Sequence, residues 1–144
     1  MQDLIGKYIH SIDQKGRMNF PSKLREALGE SFIVTMGPRD DEKCLLAYSK
    51  EEWQSLTEKI NALPGSKKIR RYLFSGAEEV GADKQGRILI PAHLREHGRL
   101  EKEVVVVGAS NCAEIWDKGL WEEAFRKTQE AVDENVDILD ELGF

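Results

Sequence analysis

The chain reads as a mainly β protein with short helices, built from one unit used twice and finished by a C-terminal helix. Three observations predict this. The stretch Asp13-Gln-Lys-Gly-Arg17-Met-Asn-Phe-Pro21-Ser-Lys-Leu24-Arg25-Glu26 returns 70 residues later as Asp83-Lys-Gln-Gly-Arg87-Ile-Leu-Ile-Pro91-Ala-His-Leu94-Arg95-Glu96, with Asp, Gly, Arg, Pro, Leu, Arg and Glu at identical spacing. Short apolar runs bounded by Gly, Pro and Asp follow each copy in the same order. Apolar residues at helical spacing gather mainly after each second run, around Trp53 and around Trp121.

Each copy justifies its own elements. Asp followed by two polar residues and Gly is tight-turn chemistry, because the carboxylate can bond backbone N–H groups two residues on and Gly accepts positive φ. Met18 and Phe20, or Ile88 to Ile90, then form a run short enough for a strand. Pro21 and Pro91 stand where a helix can begin, since its first position needs no N–H donor. Leu24 and Leu28 fall on one face of that helix, and Gly98 is placed to end its counterpart as a C′ glycine.

Between the signatures the order is also repeated. Leu4 to Ile12 reads as the entering strand, Phe32 to Met36 and Cys44 to Tyr48 as the next two, with a charged loop from Gly37 to Lys43. Ser49 and Glu52 form a capping box for a helix striped by Trp53, Leu56, Ile60 and Leu63, ended by Pro64-Gly-Ser66. In the second half, Glu78 to Val80, Val104 to Val107 and Ala113 to Trp116 take the same places, and Asp117 caps a helix in which Trp121 corresponds to Trp53. Thr128 to Leu142 continues helically and is strongly acidic, with Val132, Val136, Leu139 and Leu142 on a narrow strip that fits a neighbouring subunit as readily as the chain's own core.

Bulk properties narrow the classes. The 144 residues suffice for one core without disulfides or metal. A net charge of −5 disfavours a general polyanion binder, so any nucleic-acid contact must rest on where the cations lie. Cys44 and Cys112 hold the same position in the two copies and belong to no CxxC pattern, which reads as buried thiols. No secretory leader pattern opens the chain and no apolar run approaches membrane-spanning length, so a cytoplasmic protein is expected. Lys67-Lys-Ile-Arg70-Arg71 reads as a solvated helix face or loop before it reads as a phosphate contact.

Catalytic constellations are missing from the sequence: no P-loop, no G-x-G-x-x-G and no G-x-S-x-G. His93-Leu-Arg-Glu96-His97 spells an inverted zinc-peptidase pattern, but Leu-Arg-Glu belongs to the repeated template, so only the histidines are new. His10 reads as packed beside the first turn, and Trp53, Trp116 and Trp121 as core or interface residues. Neither an enzyme, a metal, a cofactor nor a small-molecule substrate is expected.

Taken together, Tyr8-Ile-His10-Ser11-Ile-Asp13-Gln-Lys15-Gly16-Arg17, Phe74-Ser75-Gly76-Ala77-Glu78 and Asp83-Lys-Gln-Gly-Arg87-Ile-Leu-Ile-Pro91 resemble the MraZ family, within the wider class of AbrB-type swapped-hairpin transcription factors. The likeness spans essentially the whole chain, and the doubled Asp-x-x-x-Arg signature is its specific part. The resemblance implies tandem AbrB-like repeats, placed here at residues 5–52 and 77–120, forming a pseudo-symmetric double-split β-barrel, with a C-terminal acidic helix at residues 121–144. It implies homo-oligomeric rings that bind double-stranded DNA at short G-rich direct repeats upstream of their own gene. Such proteins generally repress the bacterial division and cell-wall gene cluster, and a nucleoid association follows. The opening Met1-Gln-Asp-Leu-Ile-Gly6 departs from the family's Met-Phe-x-Gly start, so the likeness says least about the packing of the terminal strand.

On that reading Arg17 and Arg87 are the base-reading residues, because the guanidinium fork pairs with O6 and N7 of guanine. Lys15 and Lys84 suit phosphate contact, with Lys23 and Arg25 as further candidates. Asp13, Gly16, Asp83 and Gly86 support the turns. From the residues alone, both Asp–Arg pairs fit plain turn-stabilising ion pairs equally well. A different class also stays open, an antitoxin-like or assembly partner that binds another protein through the acidic C-terminal helix; RNA binding is disfavoured because the strands lack exposed aromatic motifs.

Overall fold

The structure is a computed structural model that describes residues 3–144; Met1 and Gln2, the start of the atypical opening, lie outside the described residues. The first copy contributes β1 (Lys7–Ser11), β2 (Arg17–Asn19), α1 (Ser22–Leu28), β3 (Ser31–Met36), β4 (Leu45–Tyr48), α2 (Lys50–Ala62) and α3 (Lys67–Ser75). The second contributes β5 (Glu78–Gly81), β6 (Arg87–Leu89), α4 (Ala92–Gly98), β7 (Glu103–Gly108), β8 (Ala113–Asp117), α5 (Lys118–Glu134) and α6 (Val136–Leu142).

The two copies exchange strands. Six strands form one antiparallel sheet in the order β1-β7-β8-β4-β3-β5, and β2 and β6 pair as a separate ribbon. Read backwards with the copies interchanged, the order is the same, so a pseudo-two-fold axis runs between β4 and β8. The entering strand of each copy pairs with the other copy, Tyr8 opposite Val106 and Val80 opposite Phe32. Neither repeat can therefore complete its own sheet. The ladder is split rather than continuous, with the Ile12–Met18 bridge joining the large sheet to the ribbon.

Alternation along the strands decides what is buried. Met18 and Ile88 face each other under the ribbon and join Phe20, Leu24, Phe32, Leu45, Ile90, Leu94, Val104 and Ile115 in one core. Phe20 and Phe32 stack with ring centroids 5.0 Å apart. Each such side chain contributes about 1.5–3 kcal/mol by leaving water, which is what holds the ribbon against the sheet. A satellite cluster of Cys44, Val105 and Trp116 lies under α5, where Trp116 meets Trp121 edge to face at 5.7 Å. Trp53 bridges Tyr48 and Phe74 on the equivalent face.

The expected caps form, with two adjustments. Ser49 Oγ accepts from the Glu52 N–H, and Asp117 Oδ2 accepts from the Leu120 N–H. Pro21 and Pro91 occupy the N-cap rather than the first helical turn proper. Gly98 is the last residue of α4, and Arg99 takes the left-handed conformation in its place at φ 55°. Gly98 is itself buried, and a Cβ there would meet Leu100 and Leu45 at 3.4–3.6 Å, ordinary van der Waals contact. The basic run becomes α3, tied to β3 by the buried Thr35 Oγ1 donating to the Leu73 carbonyl at 2.6 Å. The C-terminal helix is two helices, broken at Asn135, whose Nδ2 donates to the Ala131 carbonyl.

Candidate nucleic-acid interface

Each signature folds into the same bonded turn. Asp13 Oδ1 accepts from the backbone N–H groups of Lys15 and Arg17, both at 2.9 Å, and Oδ2 accepts from Arg17 Nε at 2.8 Å. Asp83 repeats this with Gln85 and Arg87 at 2.9 Å and Arg87 Nε at 3.1 Å. The backbone closes the loop, Gly16 N–H to the Asp13 carbonyl and Gly86 N–H to the Asp83 carbonyl, with both glycines at positive φ. The Arg17 N–H, ahead of its guanidinium, holds the Asp13 carboxyl below the ordinary carboxylate range. Asp83 is lowered in the same way by the Arg87 N–H. Both aspartates are therefore ionised wherever the protein works.

What this leaves over defines the site. The aspartate occupies Nε of each arginine from the side, and among the described residues the terminal Nη1 and Nη2 groups of Arg17 and Arg87 have no hydrogen-bond partner. That end of the guanidinium is the two-donor fork that meets a pair of acceptors head on. The carboxylate also restricts the rotamer, so less freedom is lost on binding.

Strand pairing puts both forks on one surface. In the ribbon Arg17 lies opposite Leu89, and Asn19 lies opposite Arg87. Because Met18 and Ile88 point inward, Arg17, Asn19, Arg87 and Leu89 all point outward. The two arginines are diagonal neighbours, a spacing of roughly 7–8 Å between Cα atoms in such a pair. The repeats thus do not offer two separate tips but one two-stranded ribbon with both tips at its ends.

Two further arginines hold it there. Arg95 on α4 donates through Nε to the Ile90 carbonyl at 3.0 Å and through Nη1 to the Gln14 carbonyl at 3.1 Å, so the second copy's helix grips the first copy's turn. Arg25 on α1 donates to the Phe20 carbonyl at 3.3 Å and lays its guanidinium against Gly86. Ile90 N–H to the Gly16 carbonyl and Phe20 N–H to the Gly86 carbonyl complete the crossed ties.

Of the residues singled out in the sequence, Arg17, Arg87, Lys15 and Lys84 come together on the ribbon and its turns, all solvent-accessible. Arg25 is half-buried on α1, its Nε donated to the Phe20 carbonyl of its own copy and the end of its guanidinium set against Gly86 of the other copy's turn. Lys23 is exposed on α1, beside a shallow groove with Asp3, Ile5 and Tyr8, off the ribbon face. Asn19, Leu89 and Arg95 were not singled out; strict alternation about Met18 and Ile88 carried the signal for the first two. His93 turns Nε2 to the Gly76 carbonyl at 3.2 Å while His97 packs its ring edge-on to Tyr72, so the two histidines serve different neighbours. His10 is half-buried in β1, where desolvation lowers its pKa. Both cysteines are buried and free; burial pushes the Cys44 thiol up to about 12 and Cys112 up to about 11, leaving neither nucleophilic at neutral pH.

The exchanged strands, the split ladder and the doubled Asp–Arg turn define a tandem AbrB-like protein. Comparison with known proteins makes that specific. The family described as "MraZ protein, putative antitoxin-like" matches twice, over residues 4–72 and 73–138. A protein of Caldanaerobacter subterraneus subsp. tengcongensis named Transcriptional regulator MraZ is 46% identical over 97% of this chain and 99% of its own. Proteins of the same name from Heliobacterium modesticaldum and Acetivibrio thermocellus are 48% identical over 94% of this chain and 95% of theirs, and 53% identical over 81% and 82%. The chain belongs to the MraZ family.

Proposed function

We propose that this chain is a sequence-specific, DNA-binding transcriptional regulator that reads guanines from the major groove with the β2–β6 ribbon. The observation that carries the reading is the division of labour in each turn: aspartate takes Nε and leaves the Nη fork facing outward on a ribbon narrow enough to enter the groove. A two-stranded ribbon fits the major groove, and an arginine fork on guanine O6 and N7 is worth about 1–3 kcal/mol of discrimination. Lys15 and Lys84, at the two ends, supply phosphate contacts that fix register.

The copies are alike but not identical, with Asn19 where the other has Leu89. Asparagine suits an adenine edge and leucine a thymine methyl. A reader with unlike halves favours an asymmetric element, which agrees with G-rich direct repeats rather than a palindrome. One ribbon carries few base contacts, so useful selectivity needs several ribbons on successive repeats, as in a ring whose spacing matches the DNA. The target is the promoter of the chain's own gene, heading the division and cell-wall cluster, and occupancy there represses it. This makes the protein cytoplasmic and nucleoid-associated; among the described residues no helix is long and apolar enough to cross a membrane.

The test is a gel shift with DNA from immediately upstream of the gene. Arg17→Ala, an exposed change, leaves folding and assembly intact and removes operator binding, and wild-type affinity falls steeply as salt rises. Unchanged binding by Arg17→Ala takes Arg17 out of the site.

A further inference from the structure

Each copy ends in an exposed amphipathic helix, and the two carry opposite charge. On α3, Lys67, Lys68 and Arg71 are exposed together with Ile69 and Tyr72, and Leu63 stands at the adjoining end of α2. On α6 and the last turns of α5, Glu130, Asp133, Glu134, Asp137, Asp140 and Glu141 accompany the exposed Val132, Val136, Ile138 and Leu142. Leu142 is 68% exposed and Ile69 53%, so both apolar stripes face water in the isolated chain. Among the described residues none of these charged groups forms an ion pair.

The faces lie on different halves of the molecule. α2 and α3 pack on β3 and β4, whereas α5 packs on β7 and β8 at the other half of the six-stranded sheet. We propose that the acidic α6 segment of one copy docks on the basic α3 face of the next, head to tail. The inference rests on the ring in the reading above and says which surfaces build it. Charge complementarity selects a second copy as the occupant, because every chain carries both halves of the contact in equal number. The surfaces are unlike, so the contact cannot be self-complementary. Each docking leaves one α3 and one α6 free, and the series ends only when a ring closes. Apolar stripes on both faces supply area that exposed ion pairs alone, each worth little, do not.

Charge reversal on the full chain tests this by light scattering without DNA. Lys67→Glu, Lys68→Glu and Arg71→Glu together reduce the assembly to the single-chain mass of 16.4 kDa. So do Asp137→Lys, Asp140→Lys and Glu141→Lys together. A chain with both sets regains the wild-type mass, which a misfolded chain cannot do, and mixing the two singly reversed proteins gives an assembly of alternating chains. A wild-type protein that is monomeric overturns the proposal. It is also overturned if α3 reversal keeps the wild-type mass, whether α6 reversal then breaks it, as for pairing between α6 helices or capture of a different protein, or DNA affinity falls, as for a phosphate-contacting α3. Arg17→Ala leaves the mass unchanged, so failure of base reading and failure of docking register separately.

Discussion

At the Asp13 tip, a Cβ on Gly16 would stand 2.5 Å from the Ile90 carbonyl and 2.7 Å from Arg95 Nε, whereas at the Asp83 tip a Cβ on Gly86 first meets the end of Arg25 at 3.0 Å. Within the turns the bonds are the same, atom for atom. Beneath them each tip has one crossed backbone tie, but the first packs closely on the Ile90 carbonyl and on an arginine bonded at two points, and the second on the end of an arginine bonded at one. The two copies thus share the outward-facing turn and differ in its support. The turn's geometry is local to five residues and is the same in both copies, but bracing comes from the other copy and depends on how two different helices run.

The glycines give the largest expected difference. Both sit at positive φ, where any other residue is strained by about 1–2 kcal/mol. Gly86→Ala should cost about that much, since the Arg25 guanidinium can move aside. Gly16→Ala adds a clash with a buried carbonyl and should cost at least about 3 kcal/mol. Denaturant midpoints at constant slope measure both; equal losses would mean that the tips are supported alike.

Next come the braces. Arg95→Ala removes two hydrogen bonds and leaves the Gln14 and Ile90 carbonyls to find others, a loss of about 1–2 kcal/mol; Arg25→Ala removes one long bond and should cost about half as much. Hydrogen exchange at the Lys15 and Arg17 amides should quicken in Arg95→Ala, with the Gln85 and Arg87 amides little changed. Quickening at both tips alike would dissolve the distinction.

The turn, the short strand after it and the capped helices were legible in the sequence because each is decided by neighbours a few residues apart. Asp13, Gly16 and Arg17 need nothing beyond the loop to adopt their bonds. The exchange of strands was not legible from periodicity: Tyr8 alternates correctly for a strand whether its partner is Val34 or Val106, and only the resemblance pointed to a swap. Arg25 is an example. Its position close to Lys23 and Arg17 made it a candidate DNA contact, while its place against Gly86 of the opposite copy's turn is a neighbour that periodicity does not show. Gly98 was read as a left-handed cap on its residue type, while in the structure the helix runs one residue further and Arg99 takes that conformation. The outward face of the ribbon was half visible: Arg17 and Arg87 through the signature, Asn19 and Leu89 only once Met18 and Ile88 are known to point inward.

The central claim, that arginine forks on the β2–β6 ribbon meet guanine in the groove, is tested most directly by replacing operator guanines with 7-deazaguanine, which deletes the N7 acceptor and little else. The account predicts that wild-type affinity falls about tenfold or more per ribbon engaged, while the residual, phosphate-driven binding of a chain carrying Arg17→Ala and Arg87→Ala, read at low salt, is the same on modified and unmodified DNA. Equal losses for the wild-type and the doubly substituted chain would contradict it, because the guanine edge would then be read by something other than these two side chains.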